Sequence, residues 1–319
     1  MAGEFELIGR HFNWPAPQGY LGVGDDCALL PVATGHRLAV TTDLLVEGCH
    51  FFPDVDPETL GHKALAVNVS DLGAMGARPI GCVLGLSLPR ADDAWLAAFA
   101  RGVRALADAV NCPLVGGDTT RSPSGVIISV TAMGEVPVDS ALKRSAARPG
   151  DDLWVTGVLG GAHVALELLQ GRHPQYDDRL DALQPCLERP IPPVAFGAAL
   201  AGHAHAAIDI SDGLLQDLGH ILKASACGAD IDFGLLPVHP ALEGLAPELV
   251  QRAVLNGGDV YQLCFTAAPD MRGTITDLAG QHGVSASRVG RIRAGTGIHV
   301  GNSLLPLGAD SYAGFDHFG

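Results

Sequence analysis

The sequence predicts an α/β protein of the α+β type, divided into two domains. Three observations lead there. The chain has 319 residues, more than one ordinary core accommodates and enough for two domains of roughly 150 residues each. Hydrophobic residues make up 47% and charged residues 17%, so a large core can be buried. Short apolar runs alternate with segments of helical periodicity on both sides of a polar stretch, Pro137 to Asp151, which carries two prolines, a glycine and a basic cluster. The boundary is placed there, with domains at 1–137 and 138–319.

In the first domain the pattern predicts strands near 22–30, 37–43, 81–88, 112–117 and 126–134, and helices near 58–75 and 92–110. Strands and helices do not alternate strictly, which fits a mixed sheet covered on one side. In the second domain DLWVTG reads as a strand and GGAHVALELLQG as a helix. AAIDISDGLLQDLGHILKASA reads as a strand turning into a helix, with DVYQLCFTAA and SASRVGRI as later strands. Fixed-period repeats are absent from the sequence.

The formal net charge is −15, from 20 basic and 35 acidic residues, which argues against a nucleic-acid or anionic-membrane surface. With only three lysines, Lys63, Lys143 and Lys223, such a chain has to recruit metal ions if it handles polyphosphates. Seven scattered cysteines without a CxxC pair read as reduced residues of a cytoplasmic protein. The segment MAGEFELIGRHF has no export signature, and no run approaches the length of a membrane span.

Five acidic motifs stand at predicted element ends: Gly24-Asp25-Asp26, Thr41-Thr42-Asp43, Asn68-Val69-Ser70-Asp71, Gly116-Gly117-Asp118-Thr119-Thr120 and Asp209-Ile210-Ser211-Asp212-Gly213. Singly, each is an ordinary turn or cap pattern. Asp71 is harder to explain that way, because KALAVNVSDLGAMGA is apolar nearly all round and reads as a buried helix. A carboxylate there needs a cation: either Lys63, two turns away, or a metal that also accounts for Asn68 on the same face. Thr41, Thr42 and Asp43 offer hydroxyl, backbone and carboxylate oxygens at the end of a strand, a set suited to Mg²⁺. In AAIDISDGLLQ, Ser211 falls where a helix N-cap belongs, so the amides that follow are expected to hold an oxyanion while Asp209 and Asp212 hold its metal.

No GxxxxGK followed by Ser or Thr occurs, and no protein-kinase HRD or DFG set. Phosphoryl transfer would therefore rely on several Mg²⁺ ions and an arginine in place of a loop lysine.

Taken in order, LGVGDDCALL, AVTTDLLVEGCHFF, HKALAVNVSDLGAMGARP, LVGGDTT, LKRSAARPGDDLWVTGVLGG, IDISDGLLQDLGHI, LNGGDVYQLCFT and GFDHFG closely resemble the thiamine-monophosphate kinase family. The resemblance spans nearly the whole chain. It implies the two-domain aminoimidazole ribonucleotide synthetase-like fold, with an N-terminal ATP/Mg-binding domain that dimerises through its sheet and a C-terminal domain that closes over nucleotide and substrate. It also implies direct in-line transfer from ATP, the co-substrate, to thiamine monophosphate, giving thiamine diphosphate. By motif, Asp26, Thr41, Thr42, Asp43, Asp71, Asp118, Asp209 and Asp212 resemble the magnesium ligands, and among them Asp43, Asp71, Asp118 and Asp209 resemble the catalytic set. Gly117, Asp118, Arg144 and Ser211 resemble nucleotide contacts. His50, Asp259 and Phe315 resemble the substrate contacts, an aromatic ring suiting the flat cationic thiazolium.

The chain departs from the family after its Gly-Gly pair, where Val260 and Gln262 replace acidic residues. Two other readings stay open: another ATP-using member of the superfamily, such as a selenophosphate or aminoimidazole ribonucleotide synthetase, and a non-catalytic nucleotide or metal binder. The N-terminal segment lacks the reactive Cys with a nearby Lys expected of a selenophosphate synthetase.

Overall fold

The structure is a computed structural model and describes residues 4–23 and 27–304. The chain divides into two compact units, Met1–Leu72 with Ala77–Asp139, and Ser140–Gly319 with Gly73–Gly76.

The first unit opens with a helix, α1 (Glu4–His11), and its frame is β1 (His36–Val46), α2 (Pro57–Ala74), β2 (Arg78–Leu88), α3 (Asp93–Val110), β3 (Leu114–Arg121) and β4 (Ile127–Pro137). The sheet order is β1-β4-β2-β3, with β1/β4 and β4/β2 antiparallel and β2/β3 parallel. Every residue of α2 from Leu60 to Ser70 is buried, as its apolar composition predicts. α2 and α3 cross closely because each has a glycine at the contact. A Cβ at Gly61 would lie 2.1 Å from the Phe99 carbonyl oxygen, and one at Gly102 would lie 1.8 Å from that of Glu58. α3 starts at Asp92, whose carboxylate accepts the amides of Ala94 and Trp95 at 3.1 and 3.2 Å, and ends at Asn111 in the left-handed conformation. The strand expected near 22–30 is reduced, among the described residues, to isolated bridge positions, with an antiparallel bridge between Leu21 and Leu29.

The second unit contains β5 (Asp152–Thr156), α4 (Gly161–Leu169), α5 (Leu180–Glu188), α6 (Val194–Leu200), β6 (Ala206–Asp209), α7 (Leu214–Ser225), β7 (Gly228–Asp232), α8 (Pro247–Asn256), β8 (Leu263–Ala267), α9 (Arg272–Gln281), β9 (Ala286–Arg293) and β10 (Ile298–Gly301). Its six strands run in the order β10-β7-β9-β5-β8-β6, antiparallel except for β10/β7. The central strands β5 and β8 are buried along their whole length because cores form on both faces. One holds Leu153, Val155, Leu214, Leu218 and Val254; the other holds Trp154, Phe196, Phe265 and Ile275. This alternation is the period of 2 that places successive strand residues on opposite faces.

Candidate active site

The first unit carries its acids on one strand and one helix. On β1, Thr41 and Asp43 lie on the face that meets α2. The Thr41 hydroxyl donates to Asp71 Oδ2, and the Asp43 amide donates to Asn68 Oδ1 at 3.0 Å. Asn68 uses its amide NH₂ on the Ala64 carbonyl at 3.1 Å. Both polar ends of Asn68 are therefore engaged within the protein. It is a strut between β1 and α2.

Thr42 points the other way. Its hydroxyl donates to the Val130 carbonyl at 3.0 Å and accepts from Thr131 Oγ1 at 3.0 Å. The Thr41-Thr42-Asp43 run thus presents one hydroxyl and one carboxylate on the α2 side, not two hydroxyls, because a strand alternates faces. Gly117 and Asp118 lie on β3. Asp43 is in register with Val130, Leu84 and Gly117, whereas Asp118 lies one row further on, beside Gly85, and is exposed. The sheet therefore turns Asp118 away from the Thr41–Asp71 group.

His50 sits in the turn after β1. Its Nδ1 accepts the Val46 amide at 3.0 Å, and its own amide returns to the Val46 carbonyl at 2.9 Å. With Nδ1 serving as acceptor, the neutral ring carries its proton on Nε2. Asp26 and Phe315 lie outside the described residues.

The second unit gathers its acids through the main chain. β6 ends at Asp209, which is buried, and the chain turns through Ser211, Asp212 and Gly213 into α7. Ser211 was expected to cap this helix; instead Gly213 stands at the cap position, with φ +124°, and makes no side-chain cap. The cap comes from Asp217, in the first turn of α7. A single oxygen, Oδ2, accepts the amides of Ser211, Asp212 and Gly213 at 3.0, 3.1 and 3.1 Å. The expectation that these amides hold an oxyanion is therefore corrected: a carboxylate of the protein itself already takes them. Burial pushes the Asp217 carboxyl up to about 7, against the pull of the three amides.

A second loop hangs on the first. The Asp259 amide donates to the Ser211 carbonyl at 2.8 Å and the Tyr261 amide to the Ile210 carbonyl at 2.8 Å. A Cβ on Gly258 would lie 2.5 Å from the Ser211 carbonyl oxygen, which explains the second glycine of LNGGD. Asp259 and Tyr261 both adopt left-handed backbone, at φ 59° and 51°, and the Tyr261 hydroxyl donates to Asp259 Oδ1 at 3.0 Å. Such backbone is uncommon outside glycine and gathers at functional loops. Asp209, Ser211, Asp212 and Asp259 thus share one end of the second unit.

Arg144 does not join them. It lies in a short 3₁₀ turn (Arg144–Ala146) whose Arg144 carbonyl accepts from Ser225 Oγ at 2.7 Å, at the far end of α7. Twelve helical residues separate the two ends by roughly 18 Å.

Gln262 has a structural role. Its carbonyl oxygen accepts the Thr156 hydroxyl at 2.9 Å and its NH₂ donates to the Ile191 carbonyl at 3.0 Å, a donation that an ionised Glu could not make.

Among the described residues no three His, Cys, Asp or Glu side chains converge into a ready metal cage. The donors that do meet, the Thr41 hydroxyl with the Asp71 carboxylate, are hard oxygens. They fit Mg²⁺, which binds through one or two carboxylates and completes its shell with water and substrate phosphate.

Residues 24–136 match the AIR synthase related protein N-terminal domain, and residues 148–301 its C-terminal domain. The thiamine-monophosphate kinase of Escherichia coli K12 is 44% identical over 322 residues, covering 99% of this chain and 98% of that one. The crystal structure of the Stenotrophomonas maltophilia thiamine-monophosphate kinase superposes with a TM-score of 0.83 at 45% identity, covering 89% of this chain and 92% of that one. AaThiL complexed with AMPPCP and TMP superposes at 0.76 with 31% identity, covering 91% and 90%. The glycines, strained loop and acidic turns described above are thus set in the paired AIR-synthase-related domains, and the chain belongs to the thiamine-monophosphate kinase family.

Proposed function

We propose that this protein transfers the γ-phosphoryl group of ATP to the phosphate of thiamine monophosphate, giving ADP and thiamine diphosphate. The observation that carries this reading is the likeness, at 31% identity and over nine-tenths of both chains, to a protein that binds AMPPCP and TMP. AMPPCP is an ATP analogue whose β–γ bridge resists cleavage, so the two ligands stand for donor and acceptor.

The acids fall into two sets. Thr41, Asp43 and Asp71 in the first unit, and Asp209 and Asp212 in the second, are the residues proposed to hold Mg²⁺, with Asp26 and Asp118 as further ligands and a contribution from Thr42 through its backbone oxygen. Bound Mg²⁺ supplies the positive charge that a phosphate-loop lysine supplies elsewhere. The strut from Asn68 fixes the Asp43 backbone, so that carboxylate is held in place before any ligand arrives. Gly117, Asp118, Ser211 and Arg144 are the proposed nucleotide contacts, Arg144 being fixed at its backbone by Ser225 and exposed at its side chain.

His50, whose Nδ1 accepts the Val46 amide, is the proposed contact to the acceptor phosphate. Asp259, oriented by the Tyr261 hydroxyl, offers a carboxylate to the cationic thiamine ring system, and Phe315 a stacking surface. Transfer is direct and in line, with no covalent enzyme intermediate.

The protein works as a cytoplasmic homodimer joined through the first unit. β1 is an edge strand, and Leu38, Val40 and Leu44 on its face away from α2 are 50%, 59% and 53% exposed, an apolar row that a second copy would cover. No helix among the described residues is long and apolar enough to cross a membrane. A coupled ADP-release assay with thiamine monophosphate as acceptor tests the reading. The expected result is ADP formation that depends on the acceptor; ATP turnover indifferent to it, or none, overturns the reading.

A further inference from the structure

Three successive amides that converge on a point form a concavity for anions, and at the start of a helix the dipole strengthens it. The amides of Ser211, Asp212 and Gly213 have this arrangement, and the site is filled from inside by Asp217, which is 2% exposed. The turn cannot easily close in another way. Gly213 has φ +124°, and a Cβ there would lie 2.6 Å from the Asn256 carbonyl oxygen. The Ser211 carbonyl in turn holds the amide of Asp259.

We propose that Asp217 is a positioning residue: by occupying the amide concavity it turns the Ser211–Asp212 loop into a cation-facing surface and fixes the Gly257–Asp259 loop hung upon it. With the amides taken, the loop's remaining groups are the Ser211 hydroxyl and the Asp212 carboxylate. A phosphate would then reach this loop through the metal proposed for Asp212 and not through the amides of Ser211, Asp212 and Gly213. This rests on the reading of Ser211 and Asp212 as nucleotide and metal contacts.

The test uses the full chain and the variants Asp217→Ala, Asp217→Asn and Asp217→Glu. Two properties are measured: amide hydrogen exchange at residues 211–213, and the Mg²⁺ concentration giving half-maximal binding of AMPPCP. In Asp217→Ala the three amides should lose protection while β5 and β8 keep theirs, and half-saturating Mg²⁺ should rise about tenfold. Asp217→Asn keeps an acceptor oxygen in the same place and should shift it only about threefold. Asp217→Glu keeps the charge but displaces the loop by one methylene, so it should behave more like the Ala variant, and it decides the matter if the Ala variant does not fold.

A folded Ala or Glu variant with wild-type Mg²⁺ dependence and only a lowered melting temperature overturns the positioning role. So does an Asn variant as impaired as the Ala variant. If the wild type itself binds AMPPCP without regard to Mg²⁺, the functional reading fails, and the proposal with it.

Discussion

The acids of the first unit stand on a strand and a helix, whereas those of the second are set by loops. In the first, the Thr41 hydroxyl on β1 donates to the Asp71 carboxylate on α2, and the Asp43 main-chain amide donates to the Asn68 side chain, so that a regular strand and a regular helix carry the groups. In the second, the Ser211–Gly213 and Gly257–Tyr261 segments are held by main-chain bonds to each other and by the Asp217 carboxylate. Each site is vulnerable to a different kind of change. Removing a charge should impair the first and spare its fold. Adding a methyl group should deform the second.

The largest effect is expected at Asp71. Asp71→Asn should stay folded, with an unchanged circular dichroism spectrum, while turnover falls about 10²–10³-fold, because one of the carboxylates proposed to hold Mg²⁺ against the polyphosphate is lost. A variant within a few-fold of wild type at limiting Mg²⁺ would remove Asp71 from the metal set. Gly258→Ala tests the other half of the comparison. Its Cβ would press on the Ser211 carbonyl oxygen, so denaturant titration should show a loss of about 2 kcal/mol together with weakened substrate use. If stability and kinetics are both untouched, the close approach of the two loops is wrong.

Smaller effects are expected away from the loops. Asp152 is buried, and the hydrogen bond from Arg272, aided by that guanidinium's charge and by Arg288, holds its carboxyl below the usual range despite the cost of burial. A lowered carboxyl stabilises the fold above its unfolded value of about 3.9 and loses that contribution as pH falls through the lower folded value. Arg272→Ala should therefore lower stability at neutral pH, and the gap to wild type should narrow below about pH 4. A gap that widens on acidification would contradict the pairing. The smallest contrast is between neighbours: Thr41→Val should shift the Mg²⁺ dependence more than Thr42→Val, since only Thr41 donates to Asp71. Equal shifts would mean that the two hydroxyls work on the same side.

The same comparison explains what the sequence revealed. α2 was legible because its apolar residues leave no polar face, and Asp71 was conspicuous on it for that reason. β1, β2 and β4 followed from strand periodicity, although Thr42's outward turn was missed by reading three adjacent oxygens as one set. The second site was less legible because its order comes from loop closure. Ser211 looks like a cap until Asp217 is seen to hold all three amides, and that carboxylate lies on the buried side of α7 with Leu214, Leu218 and Ile221, a spacing of 3 and 4 that marks it as an acid in an apolar stripe. Gln262 read as a lost acid; only the Ile191 carbonyl beside it shows why an amide stands there.

The most direct test of the whole account is the rate of thiamine diphosphate formation as a function of Mg²⁺ at fixed, saturating ATP and thiamine monophosphate. If acids in both units hold metal, the rate should keep rising after Mg²⁺ equals ATP, and Asp71→Asn and Asp212→Asn should each move the rise to higher Mg²⁺. A rate that saturates at equimolar Mg²⁺ and ATP, with neither variant shifting it, would contradict the account.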